Sequence, residues 1–204
     1  MGVEGTFRVG GRFGSANALS DSEEHAGLGF DLGLWLRLAE EYAFGFSVKR
    51  ADLGAIALTQ GEATLNAGYA TTALELGGRA YPVRGRQAEL FLGLRVGMAW
   101  QDVNATGLRP SLDLQPPQAF ECSDVGGPNF ALGAEVGGSW RLTHALWLTG
   151  NVGFDGYALS AGQVGNCVAG VGSTTALSVG GGLLYTFDLG GERRVAARTR
   201  PAPF

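Results

Sequence analysis

Apolar and polar residues alternate singly along eight stretches of the chain. From about residue 3 to 13, Val3, Phe7, Val9 and Phe13 share one parity, and Glu4, Thr6, Arg8 and Arg12 the other. From about 27 to 38, Leu28, Phe30, Leu32, Leu34, Leu36 and Leu38 stand opposite Asp31 and Arg37. A period of two is the period of a β-strand, whose successive side chains leave opposite faces of the sheet. The same alternation predicts a third strand at 42–49, with Tyr42, Phe44, Phe46 and Val48 against Ser47 and Lys49, ending before Arg50 breaks the pattern. A fourth, at about 68–81, sets Leu74, Leu76 and Ala80 against Glu75 and Arg79. Further along, Leu90 to Trp100 alternate with Glu89 and Arg95; Phe130 to Leu142 with Glu135 and Arg141; Leu146 to Phe154 with Asp155; and Leu177 to Leu189 with Asp188.

Within these strands the charged side chains are Glu4, Asp31, Glu75, Glu89, Glu135, Asp155 and Asp188 against Arg8, Arg12, Arg37, Lys49, Arg79, Arg95 and Arg141. That is seven acids and seven bases, all on the polar parity. A solvated face has no need for equal numbers of each sign, whereas an enclosed one does, because an unpaired buried charge costs several kcal/mol. The pattern therefore predicts apolar faces turned outward and a lumen holding the charges. Folding strands one and two about a turn near residue 20 brings Asp31 toward Arg8 and Arg12. A turn at Glu40 sets Asp31 near Lys49. A turn near Gly85 sets Glu75 near Arg95 and Arg79 near Glu89.

The connections alternate in length. Those at 39–41, 82–87 and 143–145 are short, and those at 14–26, 50–67, 102–127 and 157–174 are long. Strands of about 11 residues, each rising ~3.3 Å and tilted about 45°, cover about 25 Å, the height of the apolar band on a membrane barrel. Tyr42, Trp140, Tyr185 and Phe187 fall toward the short-turn end and Trp100 and Phe13 toward the other, as two aromatic girdles would.

Composition narrows the function classes. The 204 residues suffice for one all-β domain, expected over residues 1–189 and followed by a basic tail at 190–204 that is expected to be a flexible end. A net charge of −4 leaves no basic stripe for nucleic acid. With 45% hydrophobic and 17% charged residues the chain is not a disordered one. No apolar run reaches the roughly 18 residues of a membrane helix, so a chain like this crosses a bilayer only as a closed barrel.

On these features the chain resembles the small eight-stranded bacterial outer-membrane proteins of the OmpA/OmpX type. Gly182-Leu183-Leu184-Tyr185-Thr186-Phe187 matches the Gly-x-x-aromatic-x-aromatic pattern of that family's last strand. The resemblance implies an antiparallel up-and-down transmembrane barrel with a polar, charge-paired lumen. It also implies Gly182, Tyr185 and Phe187 as an assembly signal read by the barrel-assembly machinery, and outer-membrane lipid and lipopolysaccharide as surroundings. Two features depart from the family. Residues 190–204 follow the last strand, and Met1-Gly2-Val3-Glu4 opens straight into a strand, so the signal peptide that such a protein needs is expected outside this chain.

Candidate chemistry is sparse. Cys122 and Cys167 fall in long loops at the same barrel end and predict a disulfide closing a span of 45 residues, with two free thiols as the alternative. The two histidines lie at opposite ends: His25 in Asp21-Ser22-Glu23-Glu24-His25, and His144 in a short turn. No catalytic, cofactor or metal site is expected. Paired glycines such as Gly10-Gly11 precede no helix and so cradle no phosphate. Three readings remain: a structural or surface-interaction barrel meeting an unidentified extracellular ligand through its long loops, a small channel, and a soluble lipocalin-like barrel with its apolar face turned inward.

Overall fold

The computed structural model describes residues 2–16, 25–60, 63–109 and 118–188. Among them run nine strands: β1 (Gly2–Ala16), β2 (His25–Arg37), β3 (Tyr42–Gln60), β4 (Ala63–Arg84), β5 (Ala88–Arg109), β6 (Gln118–Val125), β7 (Asn129–Arg141), β8 (Leu146–Ala158) and β9 (Ser173–Asp188). All pairings are antiparallel between neighbours, and β9 pairs with β1 from Gly2↔Asp188 to Ala16↔Thr174, which closes the sheet into a barrel. β6 and β7 both pair with β5, β6 along its outer part and β7 along its inner part. Together they form one stave interrupted at residues 126–128, so the barrel is eight-stranded, as the alternation predicts.

The faces sort by parity. Leu28, Leu76 and Leu94 are about two-thirds exposed, and most of the described apolar parity stands exposed with them, while Arg8, Glu75, Arg79, Arg95 and Glu135 are buried. A continuous apolar belt of this extent needs a non-aqueous neighbour, and a chain folded around its charges leaves lipid as that neighbour. The lipocalin-like alternative, with the apolar face inward, is excluded by this orientation. Tyr42, Trp140, Tyr185 and Phe187 stand exposed at the short-turn end, and Trp100 is half-buried at the other. The side chain of Phe13 lies outside the described residues.

Strand ends depart from the sequence reading. β3 does not stop before Arg50 but continues to Gln60, and β4 begins at Ala63, so most of the expected loop 50–67 is hairpin. Likewise β5 continues to Arg109, and β6 occupies much of the expected loop 102–127. Alternation with the apolar side outward marks a strand only where the outer face meets lipid. Beyond the belt the outer face is wet, and Arg50 sits there on the outer parity, bonded to Asp102 (2.7 Å) and Thr72 (3.0 Å) across β4. Two irregularities have local causes. Gly54 adopts φ = 102° at the bulge after Asp52, a conformation that favours glycine. Pro82, which has no N–H to give to the ladder, lies where β4 slips against β5 between Ala80 and Val83.

Candidate functional site: the closed lumen and its cap

Three layers fill the barrel. At the short-turn end an aromatic floor joins Trp35, Ala43, Tyr81 and Phe91, all buried. Its polar edges are satisfied: the Tyr81 hydroxyl donates to Glu4 Oε2 (2.8 Å), and the Trp35 indole N–H donates to Thr6 (3.4 Å). Arginines stack on the rings, Arg37 4.0 Å from the Tyr81 centroid and Arg79 3.9 Å from that of Trp35. Arg37 also pairs with Glu4 (2.9 Å) and Glu89 (2.8 Å).

Above the floor lies the charge network. Glu135 is its hub, accepting from Arg8 (2.7 Å), Arg79 (2.9 Å) and Arg95 (2.9 Å), with the Asn151 amide at 3.2 Å. Arg8 also bonds Asp31 at 2.7 Å. Arg95 comes within ion-pair distance of Asp31 (3.4 Å), Glu75 (3.3 Å) and Asp155 (3.5 Å), and Lys49 bridges Glu75 (3.4 Å) and Asp155 (2.5 Å). Desolvating one such ion costs several kcal/mol, so these groups hold their places only as a mutually bonded set.

Some expected partners meet and others do not. Arg8 and Asp31 are direct register partners, as a turn near residue 20 requires. Glu75 and Arg95 meet diagonally across β4 and β5, two positions off the predicted register. Arg79 does not take Glu89; it reaches Glu135, and Glu89 goes instead to Arg37 and Arg84. Lys49 stands beside Asp31 in register but bonds Glu75 and Asp155. The redirected pairs share a cause: in a narrow barrel long side chains reach across the axis, so neighbours along the sheet compete with residues two to four staves away. Arg141 stands at the short-turn rim, donating to the Thr143 carbonyl (3.0 Å) with His144 Nδ1 at 3.2 Å, and meets no carboxylate among the described residues. Arg12 reaches no carboxylate among them either; its guanidinium lies 4.7 Å over the Tyr157 ring. The side chain of Asp188 lies outside the described residues.

The third layer caps the external mouth. Residues 159–172 fold back as a small hairpin held by the Gln163↔Ala169 bridge. Leu159, Val164 and Val171 bury themselves against Leu53, Tyr69, Val103 and Ala105 on the inner face of the β3–β5 extension, with Phe120 and Cys122 of β6 alongside. Cys122 and Cys167 are disulfide-bonded, Cα atoms 5.5 Å apart, so the hairpin is stapled to β6. Cys122 thus sits in a strand rather than the expected loop. Two hydrogen bonds add to the staple: the Tyr69 hydroxyl to the Ala169 carbonyl (3.1 Å), and the Asn166 N–H to Asp124 (3.2 Å). Gly165 and Gly172 take positive φ of 53° and 73° at the bends.

In β9, Gly182 faces inward so close to the Phe7 carbonyl of β1 that a Cβ has no room. Tyr185 and Phe187 face outward with ring centroids 4.6 Å apart. His25 opens β2 with its side chain outside the described residues, as are Asp21, Ser22, Glu23 and Glu24. The layers of aromatic and apolar residues escaped the reading of the sequence, although a signal existed. Trp35 shares parity with Asp31 and Arg37, Phe91 with Glu89 and Arg95, and Tyr157 with Asp155, so parity alone places all three inside.

No protein-family model and no curated protein matches the chain by sequence. Solved structures do. Neisserial surface protein A aligns with a TM-score of 0.60 at 11% identity over 91% of this chain and 97% of that one. A major outer membrane protein from Thermus thermophilus gives 0.52 at 16% identity over 90% and 99%. Ail, the attachment invasion locus protein of Yersinia pestis, gives 0.50 at 11% identity over 90% and 98%. Identities this low speak to architecture alone, and on that architecture the chain has the fold of the small eight-stranded bacterial outer-membrane β-barrels.

Proposed function

We propose that this protein is an integral barrel of the bacterial outer membrane that conducts no solute and acts through its external surface, in adhesion or envelope integrity. The observation that carries the reading is the stack of aromatic floor, charge network and stapled cap, three successive layers of buried side chains along the axis. Eight staves enclose only as much space as side chains fill. What the protein offers instead is the β3–β6 extension with its cap, a rigid platform standing beyond the apolar belt. Platforms of this kind bind partners through surface chemistry that loops and strand ends supply. A role in attachment is of the class that Ail's name states. Outer-membrane lipid and lipopolysaccharide are its surroundings in this reading, and the barrel-assembly machinery its assembly partner through Gly182, Tyr185 and Phe187. We assign it no enzymatic role.

The test is conductance of the refolded protein in a planar bilayer, expected to show no sustained openings. Stable unitary steps would replace this reading with a small channel. Location has its own assay: protein refolded in detergent is expected to run at a different apparent mass on a gel when unheated than when boiled, and to precipitate without detergent. A chain that stays monodisperse in plain buffer would contradict the membrane placement.

A further inference from the structure

The lumen charges divide into sets that can be counted against one another. Arg8, Lys49, Arg79 and Arg95 form a connected set with Asp31, Glu75, Glu135 and Asp155, four bases to four acids. Nearer the short turns, Arg37 takes Glu4 and Glu89, and Arg84 at the exposed rim joins Glu89 to the exposed Glu40. Arg12 belongs to neither. It is 5% exposed, and none of its three guanidinium nitrogens has a hydrogen-bond partner among the described residues. A guanidinium carries five N–H donors and keeps its charge at any pH the protein meets. The Tyr157 ring, 4.7 Å below it, offers a weak cation–π contact and accepts none of the five in the ordinary sense.

Beside Arg12 the lumen holds a cavity of about 60 Å³, several times the ~10–15 Å³ that a single water needs. Two glycines keep it open. Gly10 of β1 and Gly180 of β9 are register partners on the inward parity, so two adjacent wall positions send nothing into the space. The carboxylates in its wall are engaged: Asp155 by Lys49, Arg95 and Ser178, and Asp31 Oδ2 by Arg8 and Arg95. Asp31 Oδ1 is the open carboxylate acceptor there, a place for water rather than for a compensating charge, since Asp31 already counts in the balanced set.

We propose that this cavity is a binding site for a small monovalent anion of halide size, seated against Arg12. The fifth cation of the upper lumen supplies the charge, its unused N–H groups supply the directed donors, and the Gly10/Gly180 gap supplies the volume. A buried guanidinium without hydrogen-bonded partners is strongly unfavourable; a chloride beside it supplies both acceptor and counter-charge.

The site has a direct readout. Crystals of the detergent-refolded full chain, soaked in bromide, are expected to show an anomalous peak within hydrogen-bonding distance of the Arg12 guanidinium. In solution, thermal unfolding at matched ionic strength is expected at higher Tm in chloride than in gluconate, an anion too large for the cavity. Arg12→Gln should abolish that difference. Absence of the bromide peak with only water in the cavity, or an equal Tm in both salts for the parent protein, would overturn the proposal. Should Arg12→Gln fail to refold, the bromide map of the parent protein decides alone. These outcomes are independent of conductance, so the anion site and the non-conducting role stand or fall separately.

Discussion

Glu135 shows how much one side chain carries in a lumen of this kind. Three guanidinium groups, those of Arg8, Arg79 and Arg95, converge on its two oxygens. Removing it takes a carboxylate from three buried cations and leaves Arg79 with none among the described residues, and breaking a buried pair by deleting one partner costs about 3–5 kcal/mol. Glu135→Ala is therefore expected to lower unfolding free energy by at least about 3 kcal/mol, read from urea titration of the refolded barrel in vesicles. The contrast is Asp102, whose pair with Arg50 is exposed on the outer surface beyond the belt. Asp102→Asn should change stability by less than about 1 kcal/mol in the same titration, because solvent screens an exposed pair. A comparable loss at both positions would mean that the lumen is as wet as the surface.

At the scale of elements the decisive unit is the hairpin at residues 159–172, pinned to β6. Its apolar side chains bury against the β3–β5 extension and its backbone is held by few hydrogen bonds, so burial and the disulfide share the task. The Cys122–Cys167 bond spans 45 residues, for which the chain-entropy model gives about 4 kcal/mol. Replacing both cysteines by serine should lower the urea midpoint accordingly and open residues 159–172 to protease. The barrel below should keep its heat-modifiable migration, because its ladder from β1 to β9 closes without the cap. Protease cleavage unchanged by the double replacement would show that apolar packing alone holds the hairpin.

For the whole molecule the ordering of faces is inverted relative to a water-soluble barrel, with leucines outside and arginines within. That inversion has a measurable signature. Leu94 sits mid-belt on β5 at 69% exposed, and placing a charge there should cost about 2–4 kcal/mol, the range for Arg or Lys at a bilayer midplane. Leu94→Arg is expected to refold poorly in vesicles and to show that loss by titration, whereas Asn104→Arg, on the same outward parity beyond the belt, should be nearly neutral. Equal penalties at the two positions would remove lipid as the covering phase.

What the chain decided by itself was everything that depends on parity. The eight staves, their antiparallel order, the outward belt and the confinement of Glu4, Arg8, Glu75, Arg95 and Glu135 to the lumen all follow from alternation, because lipid on one face and a closed axis on the other punish any slip of one residue. Tertiary structure alone decided what happens across the axis and beyond the belt. Arg79 chooses Glu135 over Glu89 because barrel curvature brings β4 and β7 together. Among the described residues Arg12 makes no ion pair, because Asp155 beside it is taken by Lys49 and Arg95. Past Arg50 and Trp100 the strands run on with their faces exchanged, wet outside and apolar within, and residues 159–172 find the mouth because that apolar hollow lies within their reach. Such choices rest on distances between residues far apart in sequence, and a local pattern carries no record of them.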